Sequence, residues 1–236
     1  MKNVLNFLNA NRLLYIPVIE ALERGEGKVI AFDEDGAVVE MGGWVVSLCL
    51  TSDEALLKHA DLVKKRLCVI YGARDLTKIA QYFPLARQVP CWQMVYTKKE
   101  PPVFKTDAEF KLLDRTWAQF VFDTYCRPTK NLEHITHLLD KNYIYGIFVC
   151  GEIAGFCGRH DEGSMGLLEI LPKFRRQGLG RIMEQFIIRE VLNEGRTPYG
   201  HIVFGNDASM SLQRSIEGVV FLPETVMWHS CKPIKT

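Results

Sequence analysis

A mixed α/β fold arranged in two halves is predicted for this chain by three observations. Apolar residues at helical and at strand spacing alternate along residues 107–228. A strand at 167–171 runs through a glycine-containing turn into an amphipathic helix. Much of the same element order recurs, with dissimilar residues, in the first half. The 236 residues exceed the usual size of one domain, so two domains of about 100 to 150 residues are expected.

The boundary is placed at Lys98-Lys99-Glu100-Pro101-Pro102, where two prolines and three charges interrupt apolar sequence, giving domains at 1–100 and 106–230. In the second, helices over 107–125 and 131–139 follow from Trp117, Phe120, Val121 and Tyr125, then Leu132, Ile135 and Leu139. The run 147–156 reads as a hairpin turning at Gly151-Glu152. Pro172 stops the strand 167–171. Beyond the turn, Leu179, Ile182, Met183, Phe186, Ile187 and Val191 recur at three- and four-residue intervals, and Gly195 is a natural stop. A strand at 201–204, a helix at 208–216 and a strand region at 219–228 complete the half. The first half offers a hairpin around Asp33-Glu34-Asp35-Gly36, strands at 44–50, 67–71 and 92–96, and helices from Asp53 and Leu76. Either a duplicated fold or the chance recurrence of a common arrangement accounts for this.

Apolar residues at 47% and aromatic residues at 11% are enough for packed cores and give no reason to expect disorder. The 29 basic and 28 acidic side chains nearly cancel, so no global field recruits nucleic acid or an anionic membrane, and any anion site is local. Seven cysteines are scattered, odd in number and without C-x-x-C spacing. They read as reduced core residues of a cytoplasmic protein, and no metal is expected. Asn6, Asn9, Asn11 and Arg12 break the N-terminal segment before a signal-peptide core develops, and no apolar run reaches membrane-spanning length.

The chemistry is expected at the turn after 167–171. A strand feeding a glycine turn that opens a helix leaves backbone N–H groups unpaired and aims the positive helix end at one spot. Gly178 and Gly180 let a phosphate approach the main chain, and Arg175, Arg176 and Arg181 add charge. A P-loop would need Gly-Lys-Ser/Thr where Gly180-Arg181 stands, and the dinucleotide fingerprint lacks a glycine.

The pattern Pro172-x-x-Arg175-x-x-Gly178-x-Gly180, with the preceding hairpin and Asn206-Asp207-Ala208-Ser209 at the next strand–helix junction, resembles the pyrophosphate turn of the GNAT superfamily. The segments 171–179, 195–201, Leu212-Gln213 and Trp228 are similar to the glycine N-acyltransferase-like branch, which joins a diverged N-terminal half to a catalytic GNAT half. The resemblance implies a GNAT fold in the C-terminal half, preceded by a degenerate GNAT-like half. It implies an acyl-CoA-dependent N-acyltransferase, with acetyl-CoA or another acyl-CoA as co-substrate and a small-molecule amine such as an amino acid as acceptor. A monomer or homodimer is expected. Main chain near Ile170 and Leu171 would pair with the pantetheine arm, and an N–H there would polarise the thioester carbonyl. Arg175, Arg176, Gln177, Gly178, Leu179, Gly180 and Arg181 would surround the pyrophosphate, and Asn206 and Ser209 would line the far side of the arm.

Attack of an amine on a thioester needs a base and a way to protonate the thiolate. The family's usual glutamate position matches Ser164, leaving Glu169 and Glu162 as catalytic candidates with His160 behind them; a solvated strand charge is the plain alternative. The family's usual tyrosine matches Gln213, so the acid is unassigned. Cys157 reads as core rather than as a nucleophile, because it follows an apolar run without a base partner. The corresponding junction of the first half, Thr51-Ser52-Asp53-Glu54-Ala55, has no glycine and two carboxylates that would repel phosphate. That half is expected to shape the acceptor pocket or stabilise its neighbour. Trp44 and Trp92 read as core or pocket wall. A non-catalytic acyl-CoA sensor and a transferase acting on protein N-termini or lysines are the competing readings.

Overall fold

The structure, a computed structural model, describes residues 1–43, 45–59, 62, 67–73, 87–125 and 131–230. Trp44, Cys126, Cys231 and the expected helix from Leu76 lie outside them. The chain forms two compact units, Met1–Val95 with His201–Asp207 and Phe221–Thr236, and Tyr96–Gly200 with Ala208–Val220. The ranges expected from sequence, 1–100 and 106–230, differ in leaving the two returning segments with the second half.

The first unit begins with two helices absent from the sequence reading, α1 (Lys2–Asn9) and α2 (Ile16–Glu23). Strands β1 (Gly27–Asp33), β2 (Gly36–Met41) and β3 (Val45–Leu50), helix α3 (Asp53–Lys58), and strands β4 (Leu67–Ala73) and β5 (Arg87–Tyr96) follow. Strand alternation sorts the core onto two faces. Ala37, Val39, Met41, Val45 and Cys49 pack with Leu8, Val18, Ile19 and Leu22, while Val38, Val46 and Leu48 pack with Leu56. Strands from late in the chain enter the same seven-stranded sheet, whose order is β1-β2-β3-β4-β11-β5-β10.

A buried polar relay holds part of this unit. Gln93, fully buried, donates its amide N–H groups to the carbonyls of Leu13 and Leu14 at 2.7 and 3.0 Å. Its Oε1 lies 3.0 Å from His201 Nε2, and Trp228 Nε1 donates to His201 Nδ1 at 3.0 Å. Because Nδ1 accepts, Nε2 carries the ring proton and donates to Gln93. Trp92, a sequence candidate for a pocket wall, stacks on Phe204 with ring centroids 4.6 Å apart.

The second unit carries β6 (Glu109–Leu112), a 3-10 turn (Arg115–Trp117), α4 (Ala118–Thr124), α5 (Leu132–Asp140), β7 (Ile144–Val149), β8 (Glu152–Arg159) and β9 (Met165–Ile170). A 3-10 turn (Pro172–Phe174), α6 (Leu179–Asn193), β10 (Tyr199–Val203), α7 (Asp207–Arg214) and β11 (Val219–Ser230) complete the chain. The single helix expected over 107–125 is corrected. Its first part is strand β6, paired antiparallel with β7, because Phe110 stacks on Phe186 of α6 with centroids 4.0 Å apart. Asp114 then caps the 3-10 turn by accepting from Thr116 N–H at 2.9 Å. The β7–β8 turn is Cys150-Gly151 rather than Gly151-Glu152, with φ of 50° and 80°. Both values are the left-handed ones that a two-residue hairpin of this twist requires. Cys150 is therefore exposed, whereas Cys49, Cys68, Cys91 and Cys157 are buried free thiols.

Strands β6-β7-β8-β9 form an antiparallel sheet with β9 at its edge. Helices α4 and α5 cover one face through Val121, Ile135, Leu138, Phe156 and Leu167. Cys157 of β8 meets α6 on the other, its thiol 3.8 Å from the Met183 carbonyl. No helix among the described residues is long and apolar enough to cross a membrane.

Candidate acyl-carrier site

β9 ends against β8 in a way that leaves one main-chain position open. Leu171 N–H donates to the Ala154 carbonyl at 2.9 Å, so the Gly155–Ile170 pair is the non-bonded kind and the polar groups of Ile170 point away from β8. Gly155 is required there, since a Cβ would stand 2.3 Å from the Glu169 carbonyl oxygen. Further back, Leu167 and Leu168 together oppose Cys157 in a bulge, with Leu167 at φ 55°.

The chain then makes the 3-10 turn and enters α6. Arg176 (φ 64°) and Gly178 (φ 79°) are both left-handed, and Gly178 is the residue before the first helical turn. Alternating left-handed residues turn successive N–H groups toward one concavity. Among the described residues, the five main-chain N–H groups from Arg176 to Gly180 have no hydrogen-bond acceptor; the first bonded ones are Arg181 and Ile182, both to Gly178 O. α6 has no side-chain cap and no acidic residue in its first turn. The matching junction of the first unit is closed by its own residues. There Ser52 Oγ accepts from Ala55 N–H at 3.2 Å, and Asp53 and Glu54 occupy the first turn of α3.

The arginines divide their roles. Arg175 folds back, Nε donating to the Ile170 carbonyl at 2.8 Å and Nη2 to Glu169 Oε1 at 3.1 Å, so it fastens the turn to β9. Arg176 and Arg181 are exposed and, among the described residues, have no ion-pair partner. Gln177 Nε2 donates to the Lys173 carbonyl at 3.3 Å. Leu179 is buried and anchors the first turn of the helix. Leu171, whose main chain is expected to pair with the pantetheine arm, is already engaged within the fold. Its N–H is taken by Ala154 and its carbonyl by Phe174 N–H, which leaves the Ile170 N–H as the open group.

The two carboxylate candidates are now distinguishable. Glu169 is engaged by Arg175 and holds the turn. Glu162 accepts from the hydroxyl of buried Ser164 at 2.5 Å, and its carbonyl accepts from Tyr199 OH. Ser164, at the position where a base was sought, thus orients Glu162. His160 lies against Gly166, where a Cβ would come within 2.7 Å of its Nε2. Burial together with neighbouring His160 lowers the pKa of His134, against the opposing charges of Asp161 and Glu162. Burial, helped by the charge of Glu184, drives the Cys157 thiol pKa well up, the opposite of what a nucleophile needs. Ser209 and Gln213 lie on α7 in the second unit, whereas Asn206 belongs to the first. Among the described residues no His, Cys, Asp and Glu side chains are grouped to hold a metal ion.

Residues 144–226, which hold every feature of the turn, match the family model described as FR47-like protein. Among solved structures, a Drosophila protein is similar over 98% of this chain and 95% of its own, at 16% identity and a TM-score of 0.63. A protein assigned to the GNAT acetyltransferase family from Novosphingobium aromaticivorans is similar over 93% and 96%, at 15% identity and 0.56. The fold is that of the GNAT acetyltransferases. A GCN5-related N-acetyltransferase-like protein from Streptococcus suis shares the GNAT fold over 97% of this chain and all of its own, at 13% identity and 0.53. No curated protein matches the chain. Three features of this GNAT fold escaped the sequence reading: the Glu162–Ser164 pair, the Arg175–Glu169 brace and a buried carboxylate at Glu184. A serine two residues from a glutamate was the sole signal for the first.

Proposed function

We propose that the chain is an acyl-CoA-dependent N-acyltransferase whose cofactor site is the Arg176–Gly180 turn and the open edge of β9. The observation that carries this is the run of five acceptor-less N–H groups at an uncapped helix start. Their number and left-handed geometry suit a pyrophosphate, which places several anionic oxygens in one concavity. Arg176 and Arg181 would add screening charge at the rim, and Ile170 N–H would face the arm. Acetyl-CoA supplies an activated acyl group when bound. The protein's part is to hold it extended along β9, with Ser209 on α7 beside the arm.

In this reading the acceptor is a small primary amine, such as an amino acid, as in the glycine N-acyltransferase-like branch. Glu162, steadied by Ser164, accepts the proton that the amine nitrogen gives up, directly or through water. Glu169 positions Arg175 and through it the turn. The functional division is 1–100 and 106–230, the first part not binding coenzyme A, and the protein acts in the cytoplasm as a monomer or homodimer. A second reading, a non-catalytic acyl-CoA binder, is favoured by one observation: Gln213 stands where a thiolate-protonating tyrosine was sought.

Thiol release from acetyl-CoA across a panel of amino acids and small amines tests the enzyme reading. Release stimulated by at least one amine and reduced about 100-fold or more in Glu162→Gln is expected, the usual scale for loss of an acid–base group. Silence with every amine and with longer acyl-CoAs, in a protein that binds acetyl-CoA, would establish the binder instead.

A further inference from the structure

Strand β6 closes one end of the sheet β6-β7-β8-β9, so one of its edges meets no other strand. Its hydrogen-bonding parity follows from the residue just beyond it. Leu113 N–H donates to the Ile144 carbonyl at 2.9 Å, and the β6–β7 register places Lys111 opposite Gly146 and Glu109 opposite Phe148. Leu113, Lys111 and Glu109 therefore bond inward to β7, and the main-chain groups of Phe110 and Leu112 point outward. Among the described residues, no hydrogen bond reaches those outward groups. The open run is bounded at both ends: Ala108 N–H is taken by Thr106 Oγ1 at 3.0 Å, and the Asp114 carbonyl by Trp117 N–H at 3.0 Å.

Glu109 and Lys111, two positions apart, share the sheet face that carries Phe148, and the Lys111 ammonium lies 4.9 Å from the centroid of that ring. The two pair with each other at 2.7 Å, with side chains 62% and 54% exposed, a contact that water and salt weaken. On the other face, Phe110 is held by its stack on Phe186 and by the edge of Phe104, 6.0 Å away. Leu112, on the same face as Phe110, is 48% exposed. An open main-chain edge with an exposed leucine invites another strand, and a lysine on the edge is the ordinary way of refusing one. Here the refusal has an exception, because a glutamate stands two residues before the lysine.

We infer that the open edge of β6 is a homodimer interface, occupied by β6 of a second copy of this chain running antiparallel across a two-fold axis at Phe110. The inference does not depend on the acyl-CoA reading, and of the two oligomeric states proposed above it selects the homodimer. With Phe110 on the axis, its N–H and carbonyl bond to the carbonyl and N–H of Phe110 in the second copy, and Leu112 N–H reaches the Ala108 carbonyl there. Glu109 then stands opposite Lys111 of the second copy, and Lys111 opposite Glu109, both as non-bonded pairs whose side chains approach most closely. Charge selects this register. Moving the axis to Lys111 would set lysine against lysine. Moving it to Leu112 would set Glu109 against Arg115, which already holds both oxygens of Asp140. The two four-stranded sheets become one, and association through β6 stops at two copies because its edge is then used.

Sedimentation of the full chain across a concentration series from micromolar to hundreds of micromolar, without acyl-CoA, reads the association. Wild type is expected to pass from monomer to dimer and no further. Glu109→Lys and Lys111→Glu each set like charges opposite one another at both cross-strand pairs, and each should raise the dimer dissociation constant about tenfold or more. The two variants mixed in equal amounts should form a heterodimer as tight as the wild-type dimer, because each copy then supplies the charge that the other lacks. The Glu109→Lys/Lys111→Glu double variant should dimerise likewise. Both positions are exposed, and recovery on mixing shows that each variant is folded. Amide exchange of wild type adds a readout free of substitutions: the Phe110 and Leu112 N–H groups should gain protection as concentration rises. A wild type that stays monomeric throughout, a dimer unchanged by either reversal, or reversals that mixing does not rescue overturns the inference. So does a dimer in which Phe110 and Leu112 exchange as fast as in the monomer. None of these outcomes bears on acyl-CoA binding at the glycine turn.

Discussion

Gly178→Glu is expected to abolish the rise in melting temperature that acetyl-CoA produces in the wild-type protein. A ligand present at about 100 times its dissociation constant stabilises the folded state by about 2.7 kcal/mol. For units of this size that corresponds to roughly 5–10 °C. A Cβ at Gly178 would meet no atom within 4 Å, so the substitution does not collide with the fold. It does force a side chain into φ 79°, at about 1–3 kcal/mol. The new carboxylate would sit beside the N–H groups of residues 176–180 and compete for the place of the pyrophosphate. The ligand-free variant should therefore melt a few degrees below wild type and show no further response to acetyl-CoA. A variant that still responds as wild type does would remove Gly178 from the site.

Glu194→Ala is expected to lower the stability of the protein by about 2–3 kcal/mol, read from urea unfolding. Glu194 caps the C-terminal end of α6 and receives both forks of Arg159 from β8, each at 2.7 Å. Arg159 is 5% exposed and lies over the Tyr143 ring, with its guanidinium carbon 4.6 Å from the centroid. Removing Glu194 leaves a buried cation without its bidentate partner, a change that costs about 3–5 kcal/mol when the site is fully enclosed. The Glu194 side chain is 40% exposed, so water reaches the gap and the expected loss is smaller. Glu194→Gln, which keeps an acceptor, should lose less. A loss below about 0.5 kcal/mol for the alanine variant would show that Arg159 is held by the Tyr143 ring alone, on the scale of an ordinary surface change. The pair ties the far end of the turn-bearing helix to the sheet, so its loss should also weaken acetyl-CoA binding.

The glycine turn before α6 was legible because its demands fall on residue types that sequence displays. Gly178 meets a positive φ, Pro172 stops a strand, and apolar residues at helical spacing announce α6. Arg176 takes the same left-handed conformation without being a glycine, so its part in the turn could not be read as a backbone requirement. Helix α2 escaped notice because it is buried from Ile16 through Leu22 and has no polar face to set a period. β6 reads as helix because the helical spacing of Trp117, Phe120, Val121 and Tyr125 is extended back to Asp107, whereas pairing with β7 and stacking of Phe110 on Phe186 decide the backbone. Glu184 is buried, whereas a glutamate within an amphipathic helix reads as solvated. Leu171 shows the converse case, a correct strand end whose hydrogen bonds were already committed to Ala154 and Phe174.

The most direct test of the claim that residues 176–180 cradle a pyrophosphate is the amide spectrum of isotope-labelled protein titrated with acetyl-CoA. The N–H resonances of Arg176, Gln177, Gly178, Leu179 and Gly180 should move downfield together, as groups that lack acceptors gain anionic ones. Saturable binding that leaves these five resonances in place, with shifts confined to other elements, would contradict it.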